Sequence, residues 1–289
     1  LHIKGDLPHW LPSLVADFGI KKLGFEANHI TVATYQQLCN AMSQGQHQLQ
    51  LIPTAGIVES LRTTKEPAEI KSIIEAAALA DAAVNYARTI VQPGMSEREI
   101  AWELEEFVRE KGSEAIPFDF IVASGPNSAM PHARPTKRIV AKGEPILLDI
   151  GARVEGYCSD LSRTLCIGDE DKTFSKIYNI VLGAQLTALA TITAGISGEQ
   201  ADKLGRSIIE QANYGEAFGH GLGHGIGLET HESPRLGHGS TDVLAEAMVF
   251  SVEPGVYIPG WGGVRIEDTV VVENGKIRSL TQADKTPNI

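Results

Sequence analysis

The chain has 289 residues, a length that suits one large domain or two smaller ones with a sizeable buried core. Its content of 43% hydrophobic and 21% charged residues is ordinary for a globular protein, and its formal net charge of −11 argues against nucleic-acid or anionic-membrane partners, which need basic patches. Three cysteines without a CxxC pair argue against a disulfide framework and a zinc knuckle, so we expect a reducing, cytoplasmic location.

The first 62 residues have the pattern of a small, incomplete α/β unit. A polar stretch over 6–20 precedes a short apolar run over 22–26, a helix candidate over 33–42 and a strand-like segment over 49–53. These elements are too few for a good core, and the chain opens Leu-His-Ile-Lys without Met. We therefore expect that this unit either packs on another part of the protein or lacks the first half of its domain.

Capping signals predict two long helices after this unit. Thr63 and Glu66 have the spacing of a capping box, which predicts a helix from about residue 63 to about residue 91. The run Ser96-Glu97-Arg98-Glu99 is a second capping box, and it predicts a helix that ends near Gly112.

A repeat links this region to a later part of the chain. Residues 94–101 and 195–202 share the pattern Gly–apolar–Ser–x–x–Glu/Gln–apolar at an offset of 101 residues. Each copy follows a long helix, over about 65–91 or 172–194, and opens an amphipathic one. Chance resemblance of eight residues is the alternative, but the shared order of elements favours two copies of a helix–helix–sheet unit within residues 65–289. Such a duplication places a site between its halves.

Apolar and alternating runs predict the remaining elements. The most apolar stretch, 177–196, is interrupted by Asn179 and Gln185, which predicts a buried helix rather than a membrane span. The dipeptide Asn274-Gly275 predicts a hairpin turn. The strand predictions cover 145–150, 158–167, 248–253, 263–272 and 276–280.

Four acidic residues interrupt or end these apolar strands. Asp149 and Asp160 are eleven residues apart across a predicted turn, so we expect them to face each other on paired strands. Glu253 and Glu267 follow later strands in the same way. Carboxylates are costly to bury unless they are paired or coordinate a metal, and four salt-bridged acids stay open as the alternative.

Histidines and glycines add to the acidic pattern. His224 lies in the glycine-dense segment 219–227, which permits close approach of the backbone to a ligand. Oxygen-rich sites with one imidazole suit Mn²⁺, Co²⁺, Fe²⁺ or Zn²⁺, and four carboxylates balance the charge of two divalent ions. Five of the nine histidines lie in the same part of the chain as these acidic residues: His132, His220, His224, His231 and His238.

The combined pattern resembles the pita-bread metallopeptidases, which include methionine aminopeptidase, aminopeptidase P and prolidase. The resemblance covers about residues 57–280 and implies an α+β pita-bread fold with an internally duplicated helix–helix–sheet unit. It implies a partial creatinase-type N-terminal domain over 1–62 and a catalytic domain over 63–289. The family's ligand order Asp, Asp, His, Glu, Glu is matched in sequence context by Asp149, Asp160, His224, Glu253 and Glu267.

The resemblance implies a role for each ligand. Asp149 would bind one metal ion, His224 and Glu253 would bind the other, and Asp160 and Glu267 would bridge both. Mn²⁺ and Co²⁺ are the foremost expectations for the two ions, with Zn²⁺ and Fe²⁺ as alternatives. Two such ions would activate a bridging hydroxide for attack on a peptide carbonyl.

The resemblance also implies catalytic roles for residues around the metal ions. Glu253 would be the proton shuttle, and His132 and His231 would hydrogen-bond the substrate or its developing oxyanion. A surface-loop role for His132 is the alternative.

Further residues match positions that contact substrate or ligands in the family. His220 would contact the substrate, and Arg265, two residues before Glu267 on the same strand face, would orient the ligand carboxylates. Arg235 would bind the terminal carboxylate of a dipeptide, and an exposed loop arginine is the alternative.

The N-terminal region indicates the subfamily. Gly24-Phe25-Glu26 followed by Tyr35-Gln36-Gln37-Leu38 is similar to the second half of the creatinase-type N-terminal domain. Methionine aminopeptidases lack that domain, and creatinase lacks the full metal set. The sequence therefore favours a homodimeric Xaa-Pro peptidase that acts on dipeptides or peptide N-termini with proline in second position. A methionine or other N-terminal aminopeptidase and a non-catalytic binding module on the same fold stay open.

Overall fold

Residues 5–43 and 49–289 are described by a computed structural model, in which residues 1–60 and residues 61–289 cluster as separate units. The expectation drawn from the opening Leu-His-Ile-Lys lies outside the described residues. The predicted domain boundary at residue 62 stays a prediction.

The first unit places a helix between two parallel strands. Strands β1 and β2 pair in parallel with Leu23 opposite Leu51, and the connection between them contains α2, as parallel pairing requires. The polar stretch over 6–20 folds as α1, which buries Leu11 and Val15 on one face against Leu38 of α2. The elements are α1 (Leu7–Asp17), β1 (Lys22–Glu26), α2 (Val32–Ser43) and β2 (Gln50–Thr54).

The long helix begins later than predicted. A separate short helix, α3 (Ile57–Thr63), ends where the prediction began, and the long helix α4 spans Pro67–Ile90. The predicted capping box of Thr63 with Glu66 is therefore wrong. The helix is capped three residues later, at Glu66, whose backbone N–H donates to the Glu69 carboxylate over 2.5 Å.

The second unit contains the remaining helices and strands. Its other helices are α5 (Glu97–Glu110), α6 (Lys172–Thr191) and α7 (Gly198–Gln211). Its strands are β3 (Ile121–Ser124), β4 (Ile146–Ile150), β5 (Arg153–Val154), β6 (Tyr157–Cys158), β7 (Leu161–Leu165), β8 (Gly223–Gly225), β9 (Glu232–Leu236), β10 (Val249–Val252), β11 (Gly255–Ile258), β12 (Gly262–Arg265), β13 (Asp268–Glu273) and β14 (Lys276–Ser279).

The predicted duplication is confirmed by two similar layers. Helices α4 and α5 share one apolar core with the sheet β3-β4-β7, and α6 and α7 share another with the sheet β14-β13-β10-β8-β9. The capping boxes correspond as well. Ser96 Oγ accepts from the N–H of Glu99 over 3.3 Å, and Ser197 Oγ accepts from the N–H of Gln200 over 3.2 Å.

The predicted buried helix and hairpin are also present. Helix α6 buries Phe174, Ile177 and Val181 along one face. Asn274 and Gly275 both have positive φ, 55° and 74°, which suits the tight turn between β13 and β14. Within the described ranges, no helix has both the length and the apolar content that a membrane crossing requires.

Two predicted strands are wrong because each is broken at an acidic residue. The strand predicted over 158–167 is interrupted before β7, at Ser159 and Asp160. The strand predicted over 263–272 is interrupted between β12 and β13, at Ile266 and Glu267. A regular strand turns successive side chains to opposite faces, so the breaks free both carboxylates from that alternation.

A buried ion pair holds the backbone at the second break, next to Glu267. Arg163 Nη2 lies 2.8 Å from Asp268 Oδ1, and each side chain is 1% exposed. Arg163 also donates to the backbone carbonyl of Glu267. Lys285 Nζ and Gln185 Nε2 each lie 2.6 Å from Asp268 Oδ2, so the carboxylate is fully compensated.

We expect Asp268→Asn to lower the free energy of unfolding by about 3–5 kcal/mol, because it leaves the buried Arg163 cation without its partner. Urea unfolding measures the loss. The control is Glu273→Gln, which breaks the exposed 2.8 Å pair with Arg278 and should change stability only slightly. Equal losses in the two variants would contradict the structural role of Asp268.

Candidate metal centre

One cavity in residues 61–289 brings together the side chains that the sequence singles out. Its volume is about 1180 Å³. The predicted site residues all line it: His132, Asp149, Asp160, His220, His224, His231, Arg235, Glu253, Arg265 and Glu267.

Separate chain segments supply the predicted metal ligands. Asp149 lies within β4, and Asp160 immediately precedes β7. His224 lies within β8, Glu253 directly follows β10, and Glu267 lies between β12 and β13. The first two segments belong to the sheet of the first half and the others to strands of the second half. The cavity therefore lies between the halves, as the duplication predicts.

The predicted pairing of the two aspartates is wrong in register. Asp149 lies opposite Ser162 in the pairing of β4 with β7, and Asp160 lies ahead of β7. Their side chains nevertheless turn toward the same cavity. The break before β7, rather than cross-strand pairing, brings the two carboxylates together.

Buried carboxylate oxygens without donors mark the centre of the cavity. Asp149 Oδ1, Asp160 Oδ1 and Glu267 Oε1 are buried and have no hydrogen-bond partner among the described residues. Leaving a buried polar atom unsatisfied costs about 1–3 kcal/mol, and more if the group is charged. Ligand atoms of Asp160, His224 and Glu267 also lie within 4.8 Å of one another. Oxygens that lack donors and converge with an imidazole fit divalent cations.

The electrostatics of the carboxylates agree with this geometry. Burial, followed by the negative charges of Glu267 and Asp149, raises the pKa of Asp160 well above its ordinary value. Burial, followed by the charges of Glu253 and Asp149, raises the pKa of Glu267 in the same way. The protein thus concentrates negative charge without enough internal compensation, as a cation site requires.

His224 and Glu253 form a closer pair. His224 Nε2 lies 3.2 Å from Glu253 Oε1. Burial disfavours both charged forms, but the hydrogen bond and the opposite charge prevail, so the pKa of His224 rises to about 9 and that of Glu253 falls to about 2. Ser251 holds the pair, since its hydroxyl donates to Glu253 Oε1 over 3.0 Å and accepts from the His224 N–H over 3.0 Å. The sequence carried a signal for this contact, because Ser251 lies two residues before Glu253 at the end of the strand predicted over 248–253.

Arg265 contacts one predicted ligand directly and a second through a serine. Its Nη2 lies 2.6 Å from Asp149 Oδ2, and its Nε donates to Ser162 Oγ over 2.8 Å. Ser162 Oγ in turn donates to Glu267 Oε2 over 2.7 Å. The prediction that Arg265 and Glu267 share one strand face is wrong, because β12 ends at Arg265. Arg265 instead reaches Glu267 through the hydroxyl of a neighbouring strand.

Tyr257 is a site residue that the sequence analysis missed. Its hydroxyl accepts from Arg265 Nη1 over 2.8 Å and hydrogen-bonds His220 Nε2 over 2.8 Å. It therefore joins the group that contacts Asp149 to a histidine of the cavity wall. No local pattern indicated this role, since a tyrosine in an apolar strand is ordinarily a core residue.

The three other predicted histidines occupy different environments. His220 is half-buried, with Nδ1 4.0 Å from Glu253 Oε2, and burial lowers its pKa. His231 is exposed to the cavity and stacks on His224 at a ring separation of 3.9 Å. Burial, followed by the charge of His224, lowers the pKa of His231. His132 is exposed at the cavity wall.

The segment that carries His231 is anchored by buried charges that the sequence analysis did not identify. Glu232 follows His231, and its carboxylate lies 2.5 Å from Lys65 Nζ and 2.7 Å from Arg62 Nη2. The Lys65 side chain is only 1% exposed. A buried pair of this kind fixes the backbone next to His231.

Arg235 lies directly across from His224. The two residues are Cα partners in the pairing of β8 with β9, so their side chains project from the same face. The Arg235 N–H donates to Asp242 Oδ2 over 2.7 Å, and its guanidinium is exposed at the cavity. The backbone of Arg235 is thus fixed while its charge stays accessible.

Comparison with known proteins agrees with this arrangement. Residues 71–274 match the family described as metallopeptidase family M24, and residues 2–64 match the creatinase/prolidase N-terminal domain. A Bacillus subtilis protein described as an uncharacterized peptidase is 42% identical over 281 residues, which cover 97% of this chain and 78% of the relative.

Solved structures are similar over nearly the whole chain. A structure described as Xaa-Pro dipeptidase from Bacillus anthracis is 43% identical with a TM-score of 0.95, over 99% of this chain and 80% of the other. An X-Pro aminopeptidase from Thermotoga maritima is 35% identical with a TM-score of 0.90, again over 99% and 80%. The predicted pita-bread fold is confirmed by this similarity.

We expect Asp160→Asn to raise the thermal midpoint of the metal-stripped protein at pH 8, because a neutral amide relieves charge repulsion in the cavity. The raised pKa of Asp160 stabilises the folded wild type at low pH, and this stability is lost as the pH rises through that pKa. The advantage of the variant should therefore shrink as the pH falls, which a series of thermal melts measures.

The matched control for this prediction is Glu97→Gln. Glu97 is equally buried, but its carboxylate accepts from Ser124 N over 2.8 Å and from Thr136 N over 3.0 Å. An amide there loses acceptors, so the control should lower the midpoint. A loss in Asp160→Asn comparable to that of the control would show that the Asp160 carboxylate is already satisfied.

Proposed function

The chain belongs to metallopeptidase family M24, and on that premise we propose that its cavity binds two divalent metal ions and hydrolyses the peptide bond that precedes proline in Xaa-Pro substrates. The observation that carries the proposal is the set of three buried, donor-free carboxylate oxygens that face one cavity. The similarity to structures described as Xaa-Pro dipeptidase and X-Pro aminopeptidase supports the substrate class.

The ligand assignment follows the order of the chain. Asp149 would hold one ion, His224 and Glu253 would hold the other, and Asp160 and Glu267 would be ligands of both. The converging ligand atoms of Asp160, His224 and Glu267 support this assignment. Four carboxylates with one imidazole suit Mn²⁺ or Co²⁺, with Zn²⁺ and Fe²⁺ as alternatives.

The protein groups around the ions orient the substrate and move protons. When bound, two such ions would lower the pKa of a water molecule and polarise the scissile carbonyl. Glu253 is the proposed proton shuttle, and Ser251 and His224 orient its carboxylate. His132 and His231 donate hydrogen bonds to the oxyanion. Arg265 keeps Asp149 in place through their 2.6 Å contact.

The domain assignment is part of the same proposal. Residues 1–62 form a creatinase-type N-terminal domain, and residues 63–289 form the catalytic domain. The match of residues 2–64 to the creatinase/prolidase N-terminal domain supports the first assignment. The cytoplasmic location and the homodimer stay predictions, and light scattering of the purified protein measures the oligomeric state.

The deciding experiment is hydrolysis with controlled metal content. The metal-stripped protein is given Mn²⁺ or Co²⁺, and its turnover of an Xaa-Pro dipeptide, a longer Xaa-Pro peptide and a Met-initiated peptide is compared. The proposal predicts metal-dependent cleavage before proline. Preferential release of Met would favour an N-terminal aminopeptidase, and metal binding without any turnover would favour a binding module.

We expect His231→Ala to keep its bound metal and to lose about 10²–10³ in kcat, the usual loss for an oxyanion donor. Metal analysis and steady-state kinetics measure both quantities. His238→Ala is the matched control, because His238 is 96% exposed and should leave turnover unchanged. Loss of metal from His231→Ala would show that the roles of His224 and His231 had been exchanged.

We expect Arg235→Ala to raise KM for an Xaa-Pro dipeptide and to leave KM for a tripeptide nearly unchanged. A dipeptide has its carboxylate close to the scissile bond, where an accessible guanidinium opposite His224 binds it, whereas a tripeptide has no charge there.

The control for this prediction is Arg134→Ala, which removes another exposed arginine from the cavity wall. It should affect both substrates little and equally. If Arg235→Ala changed KM equally for the two substrates, Arg235 would be an exposed surface arginine that does not bind the dipeptide carboxylate.

A further inference from the structure

A buried ion pair on helix α7 borders the cavity but has no role in the proposed chemistry. Arg206 Nε lies 2.6 Å from Asp202 Oδ2, and Arg206 Nη2 lies 3.0 Å from Asp202 Oδ1, one helical turn away. The Asp202 side chain is 2% exposed and that of Arg206 is 20% exposed. Both line the cavity.

The same two side chains also hold the backbone of the segment 218–222. Arg206 Nη1 donates to the carbonyl of Phe218 over 2.9 Å, and Arg206 Nη2 donates to the carbonyl of His220 over 2.5 Å. Asp202 Oδ1 accepts from the N–H of Leu222 over 2.9 Å. The guanidinium also lies 4.1 Å from the centre of the Phe218 ring. The pair therefore contacts the backbone on both sides of His220 and at His220 itself.

This segment needs external support because of its composition. Glycines flank His220 on both sides, and glycine loses more backbone freedom on folding than any other residue. Gly221 is not replaceable here, since an added Cβ would lie 2.5 Å from the carbonyl oxygen of Leu236. The close approach of β9 requires a residue without a Cβ, and glycine is flexible. The rigidity of the segment therefore depends on contacts with side chains of other segments.

The hydrogen bonds of Arg206 indicate that it supports the segment 218–222 rather than binding a substrate. Four hydrogen bonds to Asp202, Phe218 and His220 occupy a guanidinium that has five N–H donors. The ring of Phe218 lies edge-on to that of His220 with centroids 5.0 Å apart. The arginine thus acts on His220 both through its carbonyl and through the neighbouring ring.

We propose that Asp202 and Arg206 are positioning residues that fix His220 in the orientation it needs to contact the substrate. This inference rests on the proposed function and on the predicted contact of His220 with the Xaa-Pro substrate. It assigns to α7 a role in substrate affinity, exercised through another side chain.

A double-mutant cycle tests whether Arg206 acts through His220. We expect Arg206→Met and His220→Ala each to raise KM for an Xaa-Pro peptide about tenfold, the factor typical of one lost aligned hydrogen bond, with kcat changed less. The double variant should be no worse than His220→Ala alone. Fully additive losses would overturn the proposal and indicate that Arg206 contacts the substrate itself.

The conservative variant and a matched control refine the kinetics. Arg206→Lys keeps a cation next to Asp202 but cannot reach both carbonyls, so its KM should lie between those of wild type and Arg206→Met. Arg109→Met breaks an equivalent pair with Glu105, four residues away on α5, and should leave KM unchanged. A rise in KM for the control equal to that of Arg206→Met would refute a specific role.

Amide hydrogen exchange tests the positioning independently of catalysis. Exchange at residues 219–222 should increase in Arg206→Met and stay at the wild-type level in Arg109→Met. If the wild type does not cleave Xaa-Pro substrates, the proposed function fails, and the exchange still decides whether Arg206 holds this segment. Unchanged exchange in Arg206→Met would overturn the positioning role even in an active enzyme.

Discussion

The structure depends on one electrostatic constraint, the burial of like charges around a single cavity. Asp149, Asp160 and Glu267 each present an oxygen that no donor of the described residues satisfies. Each such atom costs on the order of 1–3 kcal/mol or more, which is a large share of the 5–15 kcal/mol that stabilises a typical domain. The fold must hold these groups together against repulsion, and a bound cation is what offsets their cost.

The surrounding architecture meets this constraint with rigid, well-compensated charges behind the site. Arg265 contacts Asp149 and, through Ser162, stabilises Glu267. Arg163 and Asp268 form a separate buried pair that fixes the chain next to Glu267. Arg163 and Arg265 are thus each paired with a carboxylate, whereas Asp149, Asp160 and Glu267 each keep one buried oxygen without a donor among the described residues. The contrast between the two groups of charges distinguishes a binding site from an ordinary buried ion network.

The second half of the duplicated unit contains His220 and His231, two of the residues proposed to contact the substrate, and it anchors them differently. His231 directly precedes Glu232, which is held by Lys65, whereas His220 lies in a glycine-flanked segment held by Asp202 and Arg206. Glycine permits the close approach of neighbouring backbone but gives no rigidity of its own. Ion pairs formed by α7 and by Lys65, in the link between α3 and α4, supply that rigidity.

The sequence by itself determined the elements whose signals are local. The capping serines Ser96 and Ser197, the Asn274-Gly275 turn and the order of the acidic and histidine motifs were readable, because caps, turns and motif spacing depend on neighbouring residues. The strand breaks at Asp160 and Glu267, the link from Arg265 to Tyr257 and the anchoring of His220 were not readable. These features arise where distant segments meet, and only tertiary packing decides which buried charge finds a partner and which is left to a metal ion.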